Sequence, residues 1–95
     1  MARDKLVEIE LDDIESTAQL HMRLMERLNF PRWYGRNWDA FWDAITALVD
    51  MPLVLRLKGW PEFERRFPHD AQLMSDCLRN MAQQYPSFAS HVEYE

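Results

Sequence analysis

One cysteine, two glycines and no apolar run of membrane-spanning length set the first limits on this 95-residue chain. Cys77, being alone, forms no internal disulfide and completes no metal motif, which leaves a buried thiol on a helix. The amino-terminal run Met1-Ala2-Arg3-Asp4-Lys5 turns acidic by Glu8 and shows no signal-peptide core. Without a transmembrane-length segment either, the expectation is a cytoplasmic protein that does not engage a membrane. Basic residues are also few, 11 against 16 acidic ones, for a net charge of −5. Phosphate recognition normally needs a basic face, so this balance argues against direct nucleic-acid binding. It favours a basic partner, a cationic ligand or simple solubility. No glycine loop cradles phosphate and no nucleophile motif occurs. His21, His69 and His91 lack ligand spacing and read as surface or packing residues, so no metal and no cofactor is expected.

What is present is apolar mass. Hydrophobic residues make up 47% of the chain and four of them are tryptophan, enough for a folded globule. The length suits one domain over residues 1–95. Leu6 to Leu11 alternates, with Val7, Ile9 and Leu11 opposite Glu8 and Glu10, which predicts a half-buried strand. Ser16-Thr17-Ala18-Gln19 fits a capping box. Leu20, Leu24 and Leu28 follow on one helix face, and Asn29 is the expected stop. A loop from Pro31 to Gly35 carries Trp33 and Tyr34, and Gly35 is expected to take a special backbone angle.

A second helix is predicted from Asn37, its cap, to Val49. After Pro52, Leu53-Val54-Leu55-Arg56-Leu57 reads as a central strand covered on both sides. Pro61 opens a short helix that must end before Pro68. Asp70 is expected to cap a fourth helix striped by Leu73, Cys77 and Met81, with Met74 and Leu78 beside them. Pro86 closes it, and His91 to Tyr94 forms a last strand. This alternation predicts an α/β fold: two layers, a three-stranded parallel sheet with right-handed crossovers, and four helices.

The second helix holds the most information. At about 100° per residue, Trp38, Phe41, Ile45, Leu48 and Val49 gather on a core face. Asp39, Asp43, Thr46 and Asp50 fall within roughly 60° of each other on another face, with Trp42 near its rim. Such a face is locally unfavourable. Asp39 and Asp43 repel at i,i+4 by roughly 0.2–0.5 kcal/mol, and the helix dipole opposes Asp50. Short, rigid aspartates place charge close to the backbone, where a partner can meet it, although acidic helix faces are also common on solvated surfaces. Trp33 and Trp42 bracket the face, as aromatic anchors do in interfaces, or else belong to the core.

The stretch from Phe30 to Thr46, FPRWYGRNWDAFWDAIT, resembles the signature of the barstar family, and the likeness continues through Asp50 and Pro52-Leu53-Val54-Leu55. The element order is compatible along nearly the whole chain, more loosely in the last third. The resemblance implies a ribonuclease inhibitor that binds through the second helix and the preceding loop. It assigns partner contacts to Trp33, Gly35, Asn37, Asp39, Trp42, Asp43 and Thr46. Asp43 matches the family's main aspartate, which enters the nuclease's phosphate site and meets arginine, lysine and histidine there. The partner so implied is a small basic ribonuclease or nuclease toxin, met by an inhibitor that is monomeric when free. Ala47 stands where the family's best-known member has glycine, Leu48 where it has tryptophan, and Asn80 where it has a contacting glutamate. These three are secondary contact candidates and imply a different cognate nuclease.

Two other readings stand beside this one. An immunity protein or interaction module for another basic toxin or protein would use the same acidic face. A small metal-dependent hydrolase would need Asp39 and Asp43 as a carboxylate pair, but adjacent turns of an exposed helix offer no cleft to shift a pKa or exclude water.

Overall fold

The computed structural model describes residues 3–95; Met1 and Ala2, the start of the segment without a signal-peptide core, lie outside the described residues. The elements are β1 (Leu6–Glu10), α1 (Thr17–Leu28), α2 (Trp38–Asp43) running into a π-helical turn (Ala44–Leu48), β2 (Val54–Lys58), α3 (Trp60–Arg66), α4 (Pro68–Gln84) and β3 (His91–Tyr94). The three strands are parallel in the order β1-β2-β3, with Ile9 opposite Leu57 and Leu55 opposite Val92.

Alternation sorts the sheet into two unlike faces. Ile9, Leu55 and Leu57 are fully buried beneath the helices, joined by Leu20, Leu24, Phe41, Ile45, Phe63, Met74 and Met81. The opposite face carries a row of charge. Arg56 Nε donates to Glu93 Oε1 at 2.7 Å and its Nη1 to Glu8 Oε2 at 3.1 Å, one partner from each neighbouring strand. β2 is therefore central, as expected, but covered on one side only. Alternating leucines hold the inner face, while Arg56 needs water and its two carboxylates on the other.

Local chemistry accounts for most element ends. Ser16 Oγ accepts from the Gln19 amide, and Gln19 Oε1 accepts in return from the Glu15 amide, one residue earlier than in the standard capping box. Asn29 ends α1 in the left-handed region at φ 60°, a conformation Asn tolerates better than most residues. The residue after Gly35, Arg36, takes φ 56°, and Gly59 takes φ 73°. Gly35 itself has no positive φ. What it provides is space, since an added Cβ would lie 3.1 Å from Ala40 Cβ.

Asp70 does not cap α4. Pro68 opens that helix, as its fixed φ and missing amide allow, and Asp70 sits buried within the first turn. The inward stripe of α4 is Ala71, Met74, Leu78 and Met81; Leu73 and Cys77 are only partly covered, on the side toward α2.

Candidate functional site

α2 is fastened by polar contacts, exposed at its cap and partly or fully buried beneath it. Asn37 Oδ1 accepts from the Ala40 amide at 2.7 Å and caps the helix, while its Nδ2 donates to Gly35 O at 3.2 Å. The Asp70 carboxylate accepts from Trp38 Nε1 at 2.9 Å and from Thr17 Oγ1 at 2.6 Å. One side chain of α4 thus ties the starts of α1 and α2 together. His21 is buried under Trp38, with ring centroids 4.6 Å apart, and its Nδ1 lies 2.7 Å from Tyr34 Oη. Burial lowers the His21 pKa, with Asp70 pulling the other way, and burial raises that of Tyr34. The two aromatics of the loop therefore part. Tyr34 turns inward as a support, and Trp33 stays 72% exposed.

The helix widens where the sequence predicted regular continuation. Thr46 Oγ1 donates to Trp42 O at 2.7 Å, engaging a carbonyl that an α-helix would offer to the Thr46 amide. From Ala44 onward the bonds reach one residue further, ending with the Val49 amide on Ala44 O at 3.2 Å. The core face shifts accordingly. Phe41, Ala44 and Ile45 are buried, Trp38 and Val49 pack at its margin, and Leu48 is left 42% exposed.

The same change divides the acidic face. Asp39, Trp42 and Asp43 border a groove between α2 and α4, about 590 Å³ in volume, whose other wall includes Asp76, Cys77 and Asn80. Thr46, Ala47, Leu48 and Asp50 line a separate cleft beside Phe88. Asn80 thus lines the same groove as Asp39 and Asp43. Thr46 and Asp50 do not share their face, because the chain turns wide at Ala44 and becomes extended at Val49. Trp33, Gly35 and Asn37 sit on the approach to α2 and line neither depression.

Electrostatically the groove is open. Asp39 and Asp43 are exposed and form no ion pair among the described residues. Several other carboxylates are held by arginines, Asp76 on the groove wall among them: Asp13 by Arg23, Glu62 by Arg65, Asp76 by Arg79, Glu8 and Glu93 by Arg56. Those contacts keep Asp13, Glu62 and Glu93 below the usual carboxylate range. Cys77 is half-buried on the groove wall, its pKa raised by desolvation first and then by Asp76 and Asp39, so it is a poor nucleophile. No group of three or more potential metal ligands occurs among the described residues.

Sequence reasoning passed over three contributors. Asp76 was masked by its ordinary place among α4 charges. His21 and Asp70, 49 residues apart in the chain, both reach Trp38 only through the fold.

Fold and groove together define a class: a small two-layer α/β protein that presents unpaired carboxylates on one helix edge and holds that edge rigidly from beneath. The family model described as "Barstar (barnase inhibitor)" matches residues 5–94, and the chain belongs to the barstar family. That family consists of protein inhibitors, not enzymes. A relative from Bacillus subtilis (strain 168), named "Putative ribonuclease inhibitor YrdF", is 49% identical over 55 residues. The match covers 58% of this chain and 59% of that relative's length.

Proposed function

We propose that this chain acts in the cytoplasm as an inhibitor of a small basic ribonuclease, laying the acidic edge of α2 over the enzyme's phosphate-binding site. The observation that carries the reading is the pair Asp39 and Asp43, exposed on successive turns and free of any ion pair among the described residues. A ribonuclease holds phosphate with cationic side chains, and a carboxylate on a fixed helix can occupy that position and exclude RNA. Asp43 takes the phosphate's place in this account, with Asp39 beside it and Trp42 and Asn80 on the groove rim. Trp33 anchors from the loop, while Gly35 and Asn37 shape the approach. Thr46, Ala47 and Leu48 extend the contact beyond the helix end. Net negative charge steers a basic enzyme toward this edge, and the family's own complex is the reference case for such charge coupling.

The test is an RNA-cleavage assay with small basic ribonucleases. One-to-one inhibition is expected, relieved by a competing nucleoside monophosphate and weakened by added salt. Inhibition indifferent to the nucleotide would contradict occupancy of the phosphate site.

A further inference from the structure

The two edges of the sheet are unlike. On β1 the Leu11 amide donates to Lys58 O, and alternation turns the backbone groups of Glu8 and Glu10 away from β2. Arginines of α1 cover both carbonyls: Arg27 Nη2 donates to Glu8 O and Arg23 Nη1 to Glu10 O, each at 2.8 Å. On β3 the His91 and Glu95 amides donate to Leu53 O and Leu57 O, at 2.8 and 2.9 Å. Alternation then turns the amides and carbonyls of Val92 and Tyr94 outward, where they find no backbone partner among the described residues. A bare edge of this kind is a template for another strand.

Open space runs alongside this edge. A groove of about 490 Å³ separates β3 from the helices, lined by Trp60, Leu78, Ala82, Val92 and Tyr94 among others. Tyr94 packs edge-on against Trp60, with ring centroids 4.7 Å apart, yet remains 43% exposed. This groove and the acidic one lie on different flanks of α4. The helix contributes Leu78 and Ala82 to the first, and Leu73, Cys77 and Asn80 to the second.

We infer that β3 pairs with β3 of a second copy of this chain, antiparallel across a two-fold axis, so that two sheets join into one. The edge is complementary to itself. A two-fold that sets Val92 opposite Tyr94 of the second copy satisfies the outward groups of both strands, because each such pair exchanges both of its N–H···O bonds. The side chains suit that register. On the helix-covered face Val92 meets the Tyr94 ring of the second copy, a β-branched–aromatic pair. On the open face His91 lies opposite Glu95 of the second copy. Glu93 lies opposite its own counterpart, but each is drawn back from the edge by Arg56 of its own β2, at 2.7 Å. β3 has only four residues, so the contact is small and the dimer weak, with Kd between about 10 µM and about 1 mM. At lower concentration the chain is the monomer that the family resemblance implies. The inference does not depend on the ribonuclease reading, and pairing through β3 leaves the acidic groove of each copy open.

Sedimentation velocity and amide hydrogen exchange test this on the full chain. Between about 10 µM and about 1 mM the sedimentation coefficient should rise toward that of a dimer. Over the same range the Val92 and Tyr94 amides should exchange at least about threefold more slowly, while the Glu8 and Glu10 amides on the other edge should not change. Val92→Pro removes an outward amide, which an edge strand tolerates, and should weaken dimerisation at least about tenfold. His91→Glu is exposed and spares the fold; by setting carboxylates against each other it should weaken pairing at least about threefold. The same change at exposed His69 on α4 should alter it less than about twofold. Asp43→Ala should leave dimerisation unchanged, so that pairing and inhibition are read separately. A chain still monomeric at about 1 mM would overturn the inference and leave the bare edge to a strand of another protein. A dimer whose Val92 and Tyr94 amides exchange as fast as the monomer's would overturn it too.

Discussion

Asp70 and His21 illustrate how much of this protein's binding edge depends on residues that never reach it. The Asp70 carboxylate holds Trp38 Nε1 and Thr17 Oγ1, so removing it takes the acceptor from two donors in a partly buried setting. Asp70→Ala is expected to destabilise the fold by ~2–4 kcal/mol, since each lost bond had a charged acceptor. Urea denaturation measures this directly, and a change below ~0.5 kcal/mol would mean that water replaces the carboxylate without penalty. His21 makes a pH prediction. Burial lowers its folded pKa below the 6.5 of the unfolded chain, so on acidification the unfolded state takes up the proton first. The stability contribution is complete above pH 6.5, declines as pH falls below it, and levels off under the folded pKa. Urea midpoints at about pH 7.5 and about pH 5.5 should differ in that sense, and His21→Gln should flatten the difference. An unchanged slope in that variant would assign the pH response elsewhere.

Among the elements, the two glycines have opposite roles. Gly59 joins β2 to α3 at φ 73°, and a Cβ there would lie 2.5 Å from Asp12 Cβ and 2.9 Å from the Asp12 backbone nitrogen. Both strain and collision act, so Gly59→Ala should cost more than the ~1–3 kcal/mol of a left-handed non-glycine residue. Thermal or urea unfolding checks it, and a neutral variant would refute the close packing of the β1–α1 loop on this junction. The sequence signalled strain at Gly35 instead, because a glycine between a loop and a cap is the usual suspect. Arg36 carries the left-handed angle there. Strands and helices were otherwise legible, because alternation in β1, fourfold spacing in α1 and the prolines at positions 52, 61, 68 and 86 are local signals. The π-turn was not legible, because one residue of extra reach in the backbone bonding leaves no mark on side-chain periodicity; Thr46 Oγ1 bonds Trp42 O where it begins. The wider turn leaves Leu48 exposed and divides an acidic face which periodicity had made continuous. The one-sided sheet was obscured for a similar reason. Arg56 lies within an apolar run, and its partners Glu8 and Glu93 come from strands distant in the chain.

For the molecule as a whole, charge is distributed unevenly. The open sheet face satisfies its own charges, with Arg56 between Glu8 and Glu93, while the edge of α2 leaves Asp39 and Asp43 unanswered. Self-repulsion along that edge is a standing cost of placing charge where a basic partner can meet it. The motif from Phe30 to Thr46 made the family readable in the sequence. It could not show that Asn80 shares a groove with Asp39 and Asp43, or that Phe88 stands beside Leu48, since both pairings arise from tertiary packing. The most direct test of the account is calorimetric titration of a ribonuclease that this chain inhibits with wild type and with Asp43→Ala. Binding should weaken by at least about tenfold, the loss of a charge-assisted hydrogen bond of ~1.5 kcal/mol or more. Binding by Asp43→Ala as tight as that of the wild type would contradict the account.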